Sequence, residues 1–208
     1  MKKDTKEELK LNLGSGVRLV PGFTNVDNYF TLEDLKSKKG LYAAAVIPKG
    51  AKFVKADMSL LPFEDNSADY IEAFDSIEHV GFYKIEKVLS EMYRVLKPGK
   101  KLCLMTINFD QLADYWATYV KGNKLNLTVY KELQEIIYGN QVGPGEFHNL
   151  AFNPEFLGKL LMWAGFKPKN IKMTIYPMNS PMHPKSQTVR HAKGMVHRSE
   201  MIWVEAKK

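Results

Sequence analysis

Short apolar runs alternate with stretches of helical periodicity along this chain of 208 residues. "LKLNLG", "TNVDN", "AKFVKAD" and "ADYIEAFDS" read as four successive strands, starting at Leu9, Thr24, Ala51 and Ala68. "KKLCLMTI" reads as a fifth, and "NIKMTIYPM" and "EMIWVEAKK" as two alternating strands that finish the chain. "TLEDLKSKK" is helical, with Thr31 as its N-cap and Glu33 and Asp34 in the first turn, where acids favour a helix start. In "YKIEKVLSEMYRVLKPG", residues Ile85, Val88, Leu89, Met92, Val95 and Leu96 share one helical face, and Pro98 and Gly99 are expected to stop the helix. Asn153 opens the late helix "PEFLGKLLMWAGF", with Pro154 in the favoured first position and Met162 and Trp163 expected to pack it onto the sheet. The alternation predicts an α/β domain with a largely parallel sheet. From Asn108 to Leu150 mixed aromatic and polar helices replace the pattern, so 108–150 reads as an insertion.

The junction of the first two strands carries candidate chemistry. "LNLGSG" places Gly14 and Gly16 directly after strand residues, where a glycine admits close approach of a ligand to the backbone. A tight strand-to-loop turn would use the same residues. Asp27 follows soon after, and Pro21 and Gly22 would truncate any helix between the two strands. A dinucleotide cradle needs a third glycine opening a full helix and an acid about 20 residues on. No third glycine stands in register, and Asp27 arrives only 11 residues beyond Gly16, which disfavours a pyrophosphate and favours a nucleoside whose ribose hydroxyls are held by a carboxylate. An Asx-turn is the other use for Asp27.

Composition changes little: 45% hydrophobic and 25% charged residues describe an ordinary globular chain. No apolar run reaches the length of a membrane helix, and "MKKDTKEELK" lacks the apolar stretch of a signal peptide. The single cysteine, Cys103, reads as a small core residue and excludes an internal disulfide, so a reducing, cytoplasmic setting is expected. The net charge of +7 matters mainly for its location. Residues 179–199 hold Lys185, Arg190, Lys193 and Arg198 with no acid, which favours an anionic acceptor engaged by Arg190 or Lys193. His183, His191 and His197 in that stretch are not spaced as a zinc cluster, and no metal is expected.

The runs "LNLGSG…GFTNVD", "KADMSLLPFEDNSADYIEAFDSIEHV", "EMYRVLKPGKKLCLMT" and "HNLAFNPEFLGKLLMWAGF" occur in an order and spacing that resemble the class I S-adenosylmethionine-dependent methyltransferases, in their small single-domain branch. The resemblance implies a doubly wound, Rossmann-like, seven-stranded and mostly parallel sheet with an antiparallel C-terminal hairpin. It implies one domain over 1–208; the inserted stretch 108–150 is expected to fold over the pocket as a substrate lid. It also implies S-adenosyl-L-methionine as cofactor: Gly14, Ser15 and Gly16 along its methionine part, Asp27 and Asn28 at the ribose, Asp57 and Met58 at the adenine, and Asp75 and Ser76 where cofactor and substrate sites meet. Asp69 reads as a structural strand-start acid. Where the family has an acid two residues before the first glycine, to meet the cofactor's ammonium group, this chain has Asn12, which can accept a hydrogen bond but brings no charge.

An acceptor hydroxyl must lose a proton, and the candidate bases are His79 in "SIEHV" and His148 in "GEFHNLAF", ahead of Glu78 and Glu146. Phe109, Tyr115, Trp116, Tyr119, Tyr130 and Tyr138 have helical spacing, which points to packing over pocket lining. The leading expectation is O-methylation of a small-molecule or glycan-type acceptor. The alternatives are a nucleic-acid methyltransferase, supported only by the basic stretch, and a non-catalytic protein that binds the same cofactor.

Overall fold

The computed structural model describes residues 7–17, 19–37, 39–40, 43, 45–122, 127–143, 145–177 and 200–208; of Tyr119, Val120, Tyr176 and Pro177 it describes only the backbone. The basic stretch 179–199 therefore lies outside the described residues. Seven strands form one sheet: β1 (Lys10–Leu13), β2 (Thr24–Asp27), β3 (Lys52–Lys55), β4 (Ala68–Phe74), β5 (Leu96–Ile107), β6 (Ile171–Pro177) and β7 (Glu200–Lys207). Their order is β3-β2-β1-β4-β5-β7-β6. The first five run parallel, while β7 lies antiparallel to both β5 and β6. The sheet is the Rossmann-like, seven-stranded one expected. Its strand order reverses between β1 and β4, and a ligand in such a sheet binds at the carboxyl ends of the strands at that point.

Among the described residues five α-helices accompany the sheet: α1 (Leu32–Ser37), α2 (Ile85–Val95), α3 (Phe109–Lys121), α4 (Leu127–Tyr138) and α5 (Pro154–Trp163). Among the described residues no helix is long and apolar enough to cross a membrane. The apolar face of α2 is buried as its periodicity predicts, and it joins Leu11, Leu13, Ile71, Leu102 and Leu104 of the central strands in the main core. Thr31 caps α1 reciprocally: its Oγ1 accepts the Asp34 N–H, and the Asp34 carboxylate accepts the Thr31 N–H. At α5 the Asn153 side chain accepts the Phe156 N–H, with Pro154 in the first turn. Cys103 is buried in β5.

Two expectations need correction. Helix α2 ends at Val95, and Pro98 and Gly99 lie inside β5. The chain leaves the helix straight into the strand, with Leu96 already extended and the Asn66 and Ser67 N–H groups closing onto the carbonyls of Arg94 and Val95. Met162 and Trp163 do not pack onto the sheet; they are 42% and 60% exposed. Leu157, Leu160, Leu161 and Ala164 make the buried face at helical spacing, and positions 162 and 163 fall on the opposite side.

Two polar networks hold the loops that flank the site. Asn25, fully buried in β2, accepts the Val20 N–H and donates to the carbonyls of Val20, Phe23 and Lys52. It thereby holds the end of the loop between β1 and β2, whose described residues form no helix. Arg94 donates to both oxygens of Glu91, to Asp65 and to the carbonyls of Leu61 and Phe63, clipping the loop before β4 onto α2. Asp69 is structural: it pairs with Lys97 and Lys100 and accepts the Leu9 N–H.

Candidate active site

A cavity of about 430 Å³ opens at the carboxyl ends of β1, β2 and β4. Asn12, Gly14, Ser15, Gly16, Asp27, Asn28, Asp57, Met58, Asp75 and Ser76 all line it, and so does His79. Residues spread over four loops thus converge on one space.

The glycine loop is shaped by close approaches. Gly14 and Gly16 have φ of +65° and +54°, a region that L side chains avoid. A Cβ on Gly14 would collide with Ser76 Cβ, whereas one on Gly16 would meet no protein atom within 4 Å. The N–H groups of Gly14 and Ser15 close onto the Val26 carbonyl at 2.9 and 3.1 Å. Asp27 Oδ2 accepts the Gly16 N–H at 3.0 Å, and Oδ1 accepts the Tyr29 N–H at 2.9 Å. Asp27 is therefore both an Asx-turn and the bolt that ties the first loop to the second. Each oxygen keeps a further lone pair. Burial raises the pKa of this carboxyl, and the N–H groups of Tyr29, Gly16 and Asn28 only partly offset it.

Asp57 follows β3. Its Oδ1 accepts the Ser59 N–H at 2.8 Å, and its Oδ2 lies 3.2 Å from the Lys84 ammonium. Burial pushes Asp57 up, but Ser59 and Lys84 outweigh it and hold the carboxyl below its usual value. Asp75 takes the left-handed φ of +46°, turning the chain off β4 so that Ser76 to His79 run along the cavity. The buried Ser76 Oγ has no hydrogen-bond partner among the described residues, a polar atom beside the glycine loop that a ligand group would satisfy.

Asn12 donates from Nδ2 to Asn25 Oδ1 at 2.9 Å. A carboxylate at position 12 would face that same oxygen and repel it, which explains the amide. A charge stands next door. Glu72 pairs with Asn12 across β4 and β1, lines the cavity and is 8% exposed. Burial pushes its carboxyl up to about 7, against a smaller lowering by a hydrogen bond to Tyr70. Sequence reading missed Glu72 because it sits in the middle of a strand, with no local motif to mark it.

On the other wall, Ile77–His79 form a single 3-10 turn after β4. His79 Nδ1 bonds the Phe147 carbonyl at 3.0 Å, and His148 Nδ1 bonds the Ile136 carbonyl at 2.8 Å. A carbonyl can only accept, so each Nδ1 carries the proton and each Nε2 keeps its lone pair. The two rings stand edge to face with centroids 4.7 Å apart. His148 itself does not line the cavity; it reaches it through His79. Burial lowers both imidazole pKa values; Phe147, Glu146 and Asp27 oppose this at His79, and Glu78 opposes it at His148. Glu78 is 4% exposed, is raised by burial, and accepts the Thr106 hydroxyl at 3.2 Å.

The segment after α4 reaches this wall by main-chain contacts. The N–H groups of Asn149 and Leu150 both donate to the Glu78 carbonyl, and Asn149 Nδ2 donates to the His79 carbonyl. Gly139 allows the return: its φ is +79°, and a Cβ there would collide with the Glu146 carbonyl. Of the inserted aromatics, Phe109, Tyr115, Trp116, Tyr130 and Tyr138 do not line the cavity. Trp116 packs instead with Leu112, Leu133 and Ile136 between α3 and α4.

Residues 19–104 match the family described as "Methyltransferase domain". The chain is 31% identical over 121 residues to phosphoethanolamine N-methyltransferase 2 of Caenorhabditis elegans, a match over 57% of this chain and 27% of that protein. It is 38% identical over 93 residues to the ubiquinone/menaquinone biosynthesis C-methyltransferase UbiE of Rickettsia bellii, over 43% of this chain and 34% of that protein. The matches thus span about a third or less of these curated relatives' length. Among solved structures, a SAM-dependent methyltransferase from Methanosarcina mazei superposes with a TM-score of 0.58 at 18% identity, covering 97% of this chain and 93% of that one.

Proposed function

The chain belongs to the class I S-adenosylmethionine-dependent methyltransferases, and from that premise we propose that it methylates an oxygen of a small hydroxyl-bearing acceptor, glycan-type acceptors included. The observation that carries this reading is the convergence of ten motif residues and His79 on one cavity, whose volume falls in the range of small-molecule sites, roughly 300–1,000 Å³.

The residues fit the cofactor. Gly14 and Gly16 let it approach the backbone, and Ser76 Oγ is a polar atom in want of a partner. Asp27 has lone pairs for two ribose hydroxyls. Glu72 supplies the negative charge that Asn12 lacks, for the ammonium group. Asp57 and Met58 meet the adenine, beside the apolar Phe30, Ala56 and Val80. When bound, the cofactor supplies an electrophilic methyl group on a sulfonium, so the protein's task is to align the acceptor and exclude water. His79 forms the acceptor wall, with His148 packed behind it. The neutral His79 ring, with its Nε2 lone pair, suits removal of a hydroxyl proton, and His148 supports it from behind. The segment 145–149, bonded to Glu78 and His79, acts as the lid that closes this wall.

Methyl-labelled cofactor incubated with the protein and a panel of hydroxyl, amine and carbon-acid acceptors tests the reading. The expected product is a labelled methyl ether. Label on nitrogen, carbon or a nucleobase would replace the acceptor class, and cofactor binding with no transfer to any acceptor would leave a non-catalytic binding protein.

A further inference from the structure

Glu78, His79 and His148 each bring one ligand atom, an imidazole nitrogen or a carboxylate oxygen, to within 4.8 Å of the other two. Spacing along the sequence gives no sign of this, because His148 arrives on the segment that returns from the insertion. We propose that these three side chains bind a divalent first-row transition ion such as Mn2+, Fe2+, Co2+ or Zn2+, whose remaining coordination positions hold the acceptor oxygen.

Three observations carry the proposal. The first is the donor set: two imidazoles and one carboxylate suit these metals and, being three, would leave further coordination positions for another ligand. The second is how the ligands are held. Each ring already donates Nδ1–H to a backbone carbonyl, Phe147 for His79 and Ile136 for His148, which fixes the tautomer and leaves Nε2 to ligate. The Glu78 carboxylate accepts from Thr106, and its own carbonyl accepts the N–H groups of Asn149 and Leu150, next to His148. The groups are therefore oriented before any ion arrives. The third is charge. Glu78 is a buried carboxyl group, and Lys84, the one lysine or arginine among the described residues that line this cavity, is already paired with Asp57. A buried carboxylate is costly without a cationic partner, and an ion at the cluster would provide one.

The location assigns the purpose. Glu78 and His79 line the cavity, so the open positions of the ion face the space left for the acceptor. An ion there lowers the pKa of a bound hydroxyl and fixes its oxygen in place. This deepens the proposed function, since it rests on the acceptor occupying that wall. It narrows the acceptor to one that binds a metal through oxygen. Without the ion, an imidazole would take the proton directly.

The test uses the full chain, freed of metals by chelation and titrated with Co2+ alone, with visible d–d absorption and calorimetry as readouts. One equivalent is expected to bind. Glu78→Gln and His148→Gln should each weaken it by at least about tenfold, the scale seen for loss of even an outer-shell partner. Replacing His183, His191 and His197 together should leave the signal in place. Each variant is also titrated with S-adenosylhomocysteine, whose retained heat shows that the fold and the other half of the cavity are intact. Failure of Co2+ to bind the wild type, or equal binding by the Glu78 and His148 variants, overturns the metal site. If S-adenosylhomocysteine still binds in that case, the methyltransferase reading stands; if it binds nowhere, that reading falls separately.

Discussion

The two walls of the cavity are built in opposite ways. The proposed cofactor wall is local: strand, glycine loop, strand and Asp27 follow one another within residues 10–27, and two buried amides, Asn12 and Asn25, lock them together. The proposed acceptor wall is assembled from a distance. A 3-10 turn after β4 supplies Glu78 and His79, and the far end of the insertion supplies His148 through backbone bonds to that turn. A wall made of contiguous residues can be kept through changes elsewhere in the chain. A wall that depends on an insertion can be rebuilt by altering the insertion, which fits relatives whose names specify nitrogen and carbon acceptors.

One glycine in each wall gives the strongest way to separate them. Gly14→Ala forces a side chain into φ +65° and against Ser76. The left-handed conformation alone costs about 1–2 kcal/mol and the collision adds to it, so S-adenosylhomocysteine affinity should fall at least tenfold by calorimetry. Gly139→Ala faces the same conformational penalty plus a collision with the Glu146 carbonyl. Its effect should appear in the acceptor KM, with S-adenosylhomocysteine affinity within about twofold of wild type. Matching losses of cofactor affinity in both variants would show that the walls are not independent.

Glu72 sharpens the account of the cofactor wall through pH. Its carboxyl, raised to about 7 by burial, is largely protonated at pH 6 and ionised at pH 8. Attraction for the cofactor's ammonium therefore grows as pH rises through 7, and binding below 7 should release a proton. Calorimetry at pH 6 and 8, in buffers of different ionisation heat, should show tighter binding at pH 8 and a proton release that Glu72→Gln abolishes. The same shift makes a stability statement. A carboxyl raised in the folded state favours folding below its unfolded value of 4.5, and that advantage is lost as pH rises through 7, so Glu72→Gln should flatten the stability of the free protein across that range.

The smallest effect belongs to a residue in neither wall. Asp69 is held at about 2 by Lys97, Lys100 and the Leu9 N–H, against burial. A depressed carboxyl contributes stability above its unfolded value of 3.8 that is lost as pH falls toward 2. Asp69→Asn should cost on the order of 1 kcal/mol at pH 7 in denaturant unfolding, the difference closing on acidification, with cofactor affinity unchanged.

The same contrast explains what was legible in the sequence. All seven strands, the capped helices α1 and α5 and the cavity-lining Gly14, Gly16 and Asp27 follow from local patterns: apolar alternation, a glycine pair after a strand, an acid at a strand end; Asp57, Met58, Asp75 and Ser76 were legible only through the family resemblance. Asn12 was legible as a departure but not as a solution, because its reason is Asn25, buried on the neighbouring strand. Glu72 left no mark, since a lone acid in a strand normally faces solvent. His79 and His148 were each recognisable as candidate bases; their contact was not, because it depends on how the insertion returns. Met162 and Trp163 misled because a large apolar side chain was weighed above its angular position on the helix.

The central claim is that the cavity at β1, β2 and β4 holds the cofactor through Asp27. Calorimetric titration of S-adenosylhomocysteine into wild type and Asp27→Ala tests it most directly. The account predicts one equivalent bound by the wild type and a loss of about 1–3 kcal/mol in the variant, the cost of leaving hydroxyls unpaired. Equal affinity in the two proteins, or no binding by the wild type, would contradict it.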